Sequence, residues 1–461
     1  MKIVQFVDEG LGNSAHMVIS ERTGQAVLVD PMRDVDRYLK AADDAGAHIT
    51  HVLETHIHND FVTGSREISA RLGASRDARL QFEYDPLQDG DTIVVGDLLF
   101  QVLETPGHTP EHLSYLVCDQ SMPSQPPALF SGGSLLVGAV GRTDLLGQEY
   151  AKGLALQLYS ALHQKLLTLS DDVVVYPTHG AGSFCAAAPG SARSTTIGQE
   201  RQTNQYLQIE SEEKFIETLL RDMPSYPKYF KYLRKINQQG PPVLGRVPKL
   251  APLTPQQVRD RMSQGEAIVD IRPVAKYLAD HIPGVFHVEL RPAFGVWVGW
   301  TVQFSAPIVI VSDREEEHEE AVRQLIRIGY DNLSGYLKGG MKAWRKAGLP
   351  QTQIPELTVY ELASRLKDED APVALDVRFN HEWSAGHIPG AKHIEAGALD
   401  DGKLQLPCDK TIAVHCAQGP RSATALSLLE RDGYQKLAFV SGGFDTWEKD
   451  GFPVEHEVPI R

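Results

Sequence analysis

The chain has 461 residues, 45 basic against 60 acidic side chains for a formal charge of −15, and a share of 42% apolar and 23% charged residues. This is the composition of a globular protein of about three domains, and its negative balance speaks against a nucleic-acid binder, which needs a basic footprint. No stretch reaches the roughly 18 apolar residues that cross a bilayer. The opening MKIVQFVDEG lacks a signal-peptide pattern, and four scattered cysteines (Cys118, Cys185, Cys408 and Cys416) build no disulfide framework. The expectation is a cytoplasmic protein with reduced thiols and neither a membrane nor a nucleic-acid partner.

To about residue 170 the chain alternates strand-like and helical segments. MKIVQFVDEG alternates as a strand, HVLET is a short apolar strand, and Gly64 through Leu72 has helical spacing with Gly73 as its stop. TIVV and LLFQVLET flank Gly96-Asp97, a two-residue hairpin signal. Cys118 falls in the strand LSYLVC as a core residue, and Arg142-Thr143-Asp144 either braces its loop or orients a thiol. The strand VVVYPTH ends at Thr178-His179 and runs into a Gly-rich loop carrying Cys185. From about 200 to 240 the chain is polar and helical, with Tyr226, Tyr229, Phe230 and Tyr232 as packing aromatics. It then meets the Pro-rich linker GPPVLGRVPKLAPLTP.

Chemistry gathers at the ends of these strands. Thr55-His56-Ile57-His58-Asn59-Asp60-Phe61 leaves one strand, Pro106-Gly107-His108-Thr109-Pro110 forms a turn, and His179 closes another strand. Histidines at i and i+2 face opposite ways on an extended strand, but on a loop leaving it they converge, and with two further imidazoles they make a metal site. These segments resemble the metallo-β-lactamase superfamily over residues 1–245. The family's HxHxDH motif stands here as His56, His58 and Asp60, with Phe61 in place of the last histidine. In LFSGGSLL, Gly133 takes the place of the family's metal-bridging aspartate. The resemblance implies an αββα sandwich with one metal held by His56, His58 and His108, with Asp60 and His179 as further ligands or supports.

HIHND, PGHTPEHLSYLV and GRTDLLG are most similar to the persulfide dioxygenase branch, which implies one iron (Fe2+) per chain. Zinc is the alternative. Cys185, six residues past His179, is either a sulfur relay at the metal mouth or a semi-buried bystander.

Beyond the linker the sequence repeats. Asp270-Ile271-Arg272 with His281-Ile282-Pro283-Gly284 returns 106 residues later as Asp376-Val377-Arg378 with His387-Ile388-Pro389-Gly390. Each copy continues with an apolar strand (PIVIV, TIAV) and a helical segment. Each then closes on a double glycine and a tryptophan, Gly339-Gly340 with Trp344 and Gly442-Gly443 with Trp447. Two tandem α/β domains with parallel sheets follow from this alternation.

In the second copy, Cys416-Ala417-Gln418-Gly419-Pro420-Arg421-Ser422 lies between a strand and a helix. A thiol there lies under the N–H groups of the helix N-terminus, which favour a thiolate. Gly419 lets the loop curl, and Arg421 can pair with an anionic donor. The repeat resembles the rhodanese domain, with copies at 254–350 and 355–461. The resemblance makes Cys416 the acceptor of a sulfane sulfur, supported by Arg421, Gly419 and Ser422. The first copy has Ser312 in the cysteine's place, in an acidic loop (SDREEEHEE) with no visible activating base, which implies a catalytically dead spacer or docking surface. Cys408 reads as a solvent-side bystander.

Together these features predict a fused persulfide dioxygenase and sulfurtransferase of sulfide detoxification. It would oxidise a low-molecular-weight persulfide to sulfite and pass sulfur through Cys416 among persulfide, thiosulfate and sulfite. The rival expectations are a zinc thioester hydrolase of glyoxalase II type beside a sulfurtransferase, and a degenerate metal fold that only scaffolds an active rhodanese. A homo-oligomer is compatible with the sequence.

Overall fold

The computed structural model describes residues 1–185, 192–399 and 404–456. The chain divides into two compact units, Met1–Pro248 with Arg323–Gly329, and Lys249–Val322 with Tyr330–Arg461. Among the described residues no helix is long and apolar enough to cross a membrane.

The first unit is an αββα sandwich of metallo-β-lactamase type. One six-stranded sheet runs Lys2–Asp8, Asn13–Ile19, Gln25–Val29, His48–Leu53, Arg71–Ser75 and Asp85–Leu87 in spatial order. The other runs Thr195–Thr196, Val174–Pro177, Ala128–Gly132, Leu113–Asp119, Leu98–Glu104 and Thr92–Val95. Their inner faces share one apolar core, in which Val18, Val27, Val29 and Leu53 meet Phe100, Val102, Tyr115 and Phe130. Helix Asp36–Asp44 covers the outside of the first sheet through Tyr38 and Ala42. Helices Gln148–Gln164 and Glu212–Arg221 cover the second through Leu158, Leu162, Phe215 and Leu219. The hairpin at Gly96-Asp97 forms as its sequence predicts, with Gly96 at φ 60°.

The helix expected over Gly64–Leu72 does not form. The segment holds a single 3-10 turn, Ser65–Glu67, and then the strand Arg71–Ser75 pairs parallel to His48–Leu53. Apolar spacing cannot separate a short buried strand from a helix, and sheet pairing decides here. Gly73 is a strand residue rather than a helix stop. A Cβ there would lie 2.8 Å from Leu53 Cδ2 and 2.9 Å from Leu87 Cδ1.

The second unit holds the two repeats, each a five-stranded all-parallel sheet of identical order. In the first copy the strands run Pro252–Leu253, Leu333–Leu337, Ile308–Val311, Ala267–Asp270 and Phe286–His287. In the second they run Glu356–Thr358, Leu437–Ser441, Ile412–His415, Val373–Asp376 and Lys392–His393. The repeated motifs are repeated devices. Thr254 with Gln257 and Thr358 with Glu361 are capping boxes that start equivalent helices. Arg272 and Arg378 fold back onto Asp270 and Asp376, and Trp344 and Trp447 each donate Nε1–H to a proline carbonyl at 2.8 Å.

Replacing Gly73 by Val should force Leu53 and Leu87 apart and cost about 1–3 kcal/mol, as overpacking does. Thermal unfolding followed by circular dichroism is expected to show a lowered midpoint against wild type.

Candidate active sites

The histidines meet where strand ends of both sheets open. His56 and His58 leave the end of His48–Leu53, His108 lies in the turn before Leu113–Asp119, and His179 follows Val174–Pro177. All four are buried, His56 at 4% exposure and the others at 1% or less. Donor atoms of His56, His58 and His179 lie within 4.8 Å of one another, as do those of His108, His179 and Cys185.

Hydrogen bonds fix the tautomers. Thr55 Oγ1 donates to Asp30 at 2.7 Å and so accepts from His56 Nδ1–H at 2.8 Å. His179 Nδ1–H donates to Asn13 Oδ1 at 2.9 Å, and His108 Nδ1–H to the Arg142 carbonyl at 2.7 Å. Each of these rings therefore keeps an Nε2 lone pair. The Nε2 atoms of His56 and His179 are 3.3 Å apart. His58 is turned the other way. Its Nε2 meets Glu54 at 3.1 Å and Asp30 at 3.3 Å, and among the described residues its buried Nδ1 has no hydrogen-bond partner.

Burial, reinforced by the neighbouring imidazoles, drives His56 well below the ordinary range and His108 and His179 down to about 3. Burial pulls His58 the same way, but Asp30 and Glu54 outweigh it and raise the ring to about 10. The facing lone pairs of His56 and His179, with His108 and a carboxylate-backed imidazole beside them, are a donor set for a metal cation. The residues present fit one.

The neighbouring residues explain the departures from the family motif. Phe61 stacks on the His58 ring at 4.1 Å, and a Cβ on Gly133 would come 2.3 Å from His108 Cδ2. An aspartate at 133 has no room while His108 holds its position. Asp60 accepts from Asn13 at 2.5 Å and lies 3.4 Å from His179 Nδ1. Cys185 is 1% exposed, and burial together with Asp60 pushes its thiol well above the ordinary value. Arg142 is wholly engaged as a brace, paired to Asp144 at 2.7 and 2.9 Å and donating to the carbonyls of Phe184 and Pro224.

Two further residues support the site. His112, four residues after His108, stacks on His56 at 5.1 Å and uses both nitrogens, on Thr105 Oγ1 and on the Gly133 N–H, each at 2.9 Å. Its proximity to His108 was the available signal. Asn237, on helix Phe230–Gln239, donates to the carbonyls of His58 and Phe61 and accepts from Thr63 N–H. No sequence spacing announces that contact. Of the packing aromatics, Tyr229 donates its hydroxyl to the Asp60 carbonyl at 2.8 Å.

Cys416 ends the strand Ile412–His415, and helix Pro420–Arg431 begins after Gly419, whose φ is 134°. Its Sγ accepts the Gly419 N–H at 3.0 Å, and the residue is 1% exposed. The thiol thus lies on a polar loop floor, though closed over. The double glycine holds that loop: a Cβ at Gly443 would sit 2.4 Å from the Cys416 carbonyl, which instead accepts from Phe444 N–H at 2.8 Å. Arg421 does not stand ready for an anion. It makes a two-pronged ion pair with Glu382, one contact at 2.8 Å, above the Phe379 ring. Ser422 is fully buried, and among the described residues its hydroxyl has no partner. Cys408 is exposed, and Cys118 is half-buried rather than core.

In the first copy the loop returns through the turn Glu315–Glu317 and brings His318 Nε2 to 2.7 Å from Ser312 Oγ, and burial lowers that ring's pKa. The Ser312 hydroxyl donates to the Arg314 carbonyl at 3.2 Å, so a histidine stands beside the serine while the serine proton goes to the backbone.

Persulfide dioxygenase ETHE1 of Homo sapiens is 30% identical over 201 residues, spanning 41% of this chain and 69% of that protein. The chain belongs to the persulfide dioxygenase family. Its first unit carries that family's metallo-β-lactamase fold, and residues 254–347 and 358–450 match the rhodanese-like domain. A metallo-beta-lactamase structure from Staphylococcus aureus is similar at 32% identity and a TM-score of 0.65, covering 73% of this chain and 98% of that one. A hydroxyacylglutathione hydrolase of Polaromonas sp. is 29% identical over 263 residues, 49% of this chain and 95% of its own.

Glu54→Gln keeps the shape of the His58 support but removes its charge. Metal affinity, read by chelator competition, should fall about 10- to 100-fold, as for other partners of ligating imidazoles, with the circular dichroism spectrum unchanged.

Proposed function

We infer that the chain is a bifunctional persulfide dioxygenase and sulfurtransferase, with modules at 1–245, 254–350 and 355–461. The facing Nε2 lone pairs of His56 and His179, with the rings of His58 and His108 beside them, support the first half of this reading. His56, His58, His108 and His179 would hold one ferrous iron, with Asp60 and the Cys185 thiol at its edge. When bound, the iron supplies the activation of dioxygen. The overall change is persulfide plus O2 plus water to thiol, sulfite and two protons. In this scheme Asn13, Thr55 and the Arg142 carbonyl keep the imidazole protons on Nδ1. Asp30 and Glu54 take the Nε2–H of His58, and Phe61 keeps water from that ring's face. Cys185, fully buried and kept protonated by burial and Asp60, lines the site as an apolar wall rather than as a sulfur acceptor.

At Cys416 the thiolate attacks the outer sulfur of a persulfide, the S–S bond breaks, and the thiol leaves with the bonding pair and a proton. Sulfite then attacks the terminal sulfur of the Cys416 persulfide and departs as thiosulfate, restoring the thiolate. Run in reverse, the same steps use thiosulfate as donor. Linking both sites in one chain raises the effective concentration of the shared sulfite.

A zinc thioester hydrolase is the second reading, favoured by the Polaromonas relative. Gly133 and Phe61 weigh against it, because each removes a ligand position that a two-metal hydrolytic centre would use.

Purified protein should contain about one iron per chain and consume O2 with glutathione persulfide, and His108→Ala should lose both. Zinc with thioester cleavage, or O2 uptake surviving His108→Ala, would remove the dioxygenase reading. Separately, Cys416→Ser should abolish thiocyanate formation from thiosulfate and cyanide, while Cys408→Ser keeps it. An active Cys416→Ser protein would sink the sulfurtransferase reading.

A further inference from the structure

The cation of the Cys416 loop is already taken. Arg421 lies five residues past Cys416, at the start of helix Pro420–Arg431. Both of its terminal nitrogens donate to the two oxygens of Glu382, one of them at 2.8 Å, and the guanidinium lies 5.3 Å from the centre of the Phe379 ring. Glu382 is held from its own side as well, because its Oε2 accepts the Phe379 N–H at 3.1 Å. Phe379 in turn packs against Trp297 and Trp300 of the first copy, with ring centres 6.2 and 6.4 Å away. The pair is thus fixed at both ends, and its side chains are only 15% and 24% exposed.

The first copy carries inverted charges at the same two places. Lys276 stands six residues past Asp270, as Glu382 does past Asp376, and Glu317 stands five residues past Ser312. Lys276 is exposed, and Glu317 lies 3.5 Å from Arg314 instead. Of the two copies, the one that keeps the thiol has the carboxylate and the guanidinium joined.

An anion that takes the N–H groups of Arg421 must displace a carboxylate already bound through both. A thiosulfate dianion also brings its charges against Glu382. The reacting end of a low-molecular-weight persulfide carries at most one charge and has less need of that cation. We propose that Glu382 is a positioning residue that acts through Arg421 to set the donor of the Cys416 site, favouring a low-molecular-weight persulfide over thiosulfate. The proposal rests on the sulfurtransferase reading above. With the favoured donor, the Cys416 thiolate attacks the outer sulfur and the S–S bond breaks. The thiol leaves with the bonding pair and takes up the proton of the outer sulfur. With thiosulfate the same bond breaks and sulfite leaves with the pair. Glu382 neither gains nor loses a proton in either case.

The test uses the full chain with Glu382→Gln, Glu382→Ala, Arg421→Gln and the double variant Glu382→Gln with Arg421→Gln. Gln keeps the length of the side chain and an acceptor for the Phe379 N–H. Without O2, thiocyanate formation is followed with cyanide and either thiosulfate or glutathione persulfide, the uncatalysed rate being subtracted. The ratio of kcat/KM for thiosulfate to that for the persulfide should rise about tenfold in Glu382→Gln, through a lower KM for thiosulfate. Glu382→Ala should shift it the same way. In the Arg421→Gln background the second substitution should change the ratio less than about threefold, since the interaction it acts through is gone. A second readout needs no turnover. The sulfate concentration that halves alkylation of Cys416 by iodoacetamide, mapped by peptide mass spectrometry, should fall about tenfold in Glu382→Gln and not in the double variant.

An unchanged ratio, a shift that survives Arg421→Gln, or a Cys416 that sulfate never protects would overturn the proposal. The two readings fail separately. Tighter sulfate protection in a protein without turnover keeps the competition at Arg421 and discards sulfur transfer. Turnover that persists in Cys416→Ser discards transfer through that thiol and leaves the sulfate measurement to decide on Glu382.

Discussion

The N-terminal centre depends on two imidazole nitrogens facing each other without a proton between them. His56 and His179 both spend their Nδ1–H on oxygen acceptors, which leaves two Nε2 lone pairs 3.3 Å apart in a buried setting. Lone pairs so placed repel, and burial removes the water that would answer them. A cation resolves the conflict, and the surroundings are built for one: Asp30 serves both the Thr55 that orients His56 and the ring of His58. Asn13 serves both His179 and Asp60. Two residues thus tie the positions of four.

The departures from the family motif follow from the same crowding. Phe61 covers the face of His58, and His108 leans into the space where an aspartate at 133 would stand. Both changes act in one direction. They take away ligands of a second cation and tighten the packing around the first.

Much of this was legible in the sequence. The repeat at 106 residues, the double glycines and the tryptophans announce two copies of one α/β domain, because each motif is a local device whose geometry its residues dictate. The four imidazoles were legible as a cluster for a similar reason, since each sits where a strand ends. What the sequence hid was non-local. Asn237 holds the His58 loop from a helix almost 180 positions away, and Glu382 takes the charge of Arg421 from another helix. The segment after Gly64 forms a strand rather than the expected helix because its apolar residues serve two faces of a parallel strand, a pattern that helical spacing imitates. His318 is a subtler case. Only the turn at Glu315–Glu317 brings it back to Ser312, and charge composition gives no hint of that fold-back.

The helix that begins at the Cys416 loop is also gripped at its far end. Glu430 approaches His281 at 3.3 Å and accepts the Gly284 N–H at 3.1 Å, Ser427 Oγ accepts the His287 N–H at 3.0 Å, and Arg431 lies over the Phe286 ring at 3.7 Å. All four partners belong to the first copy. A helix seated in two sheets at once cannot melt from one without disturbing the other, so the duplicated half behaves as a single cooperative block.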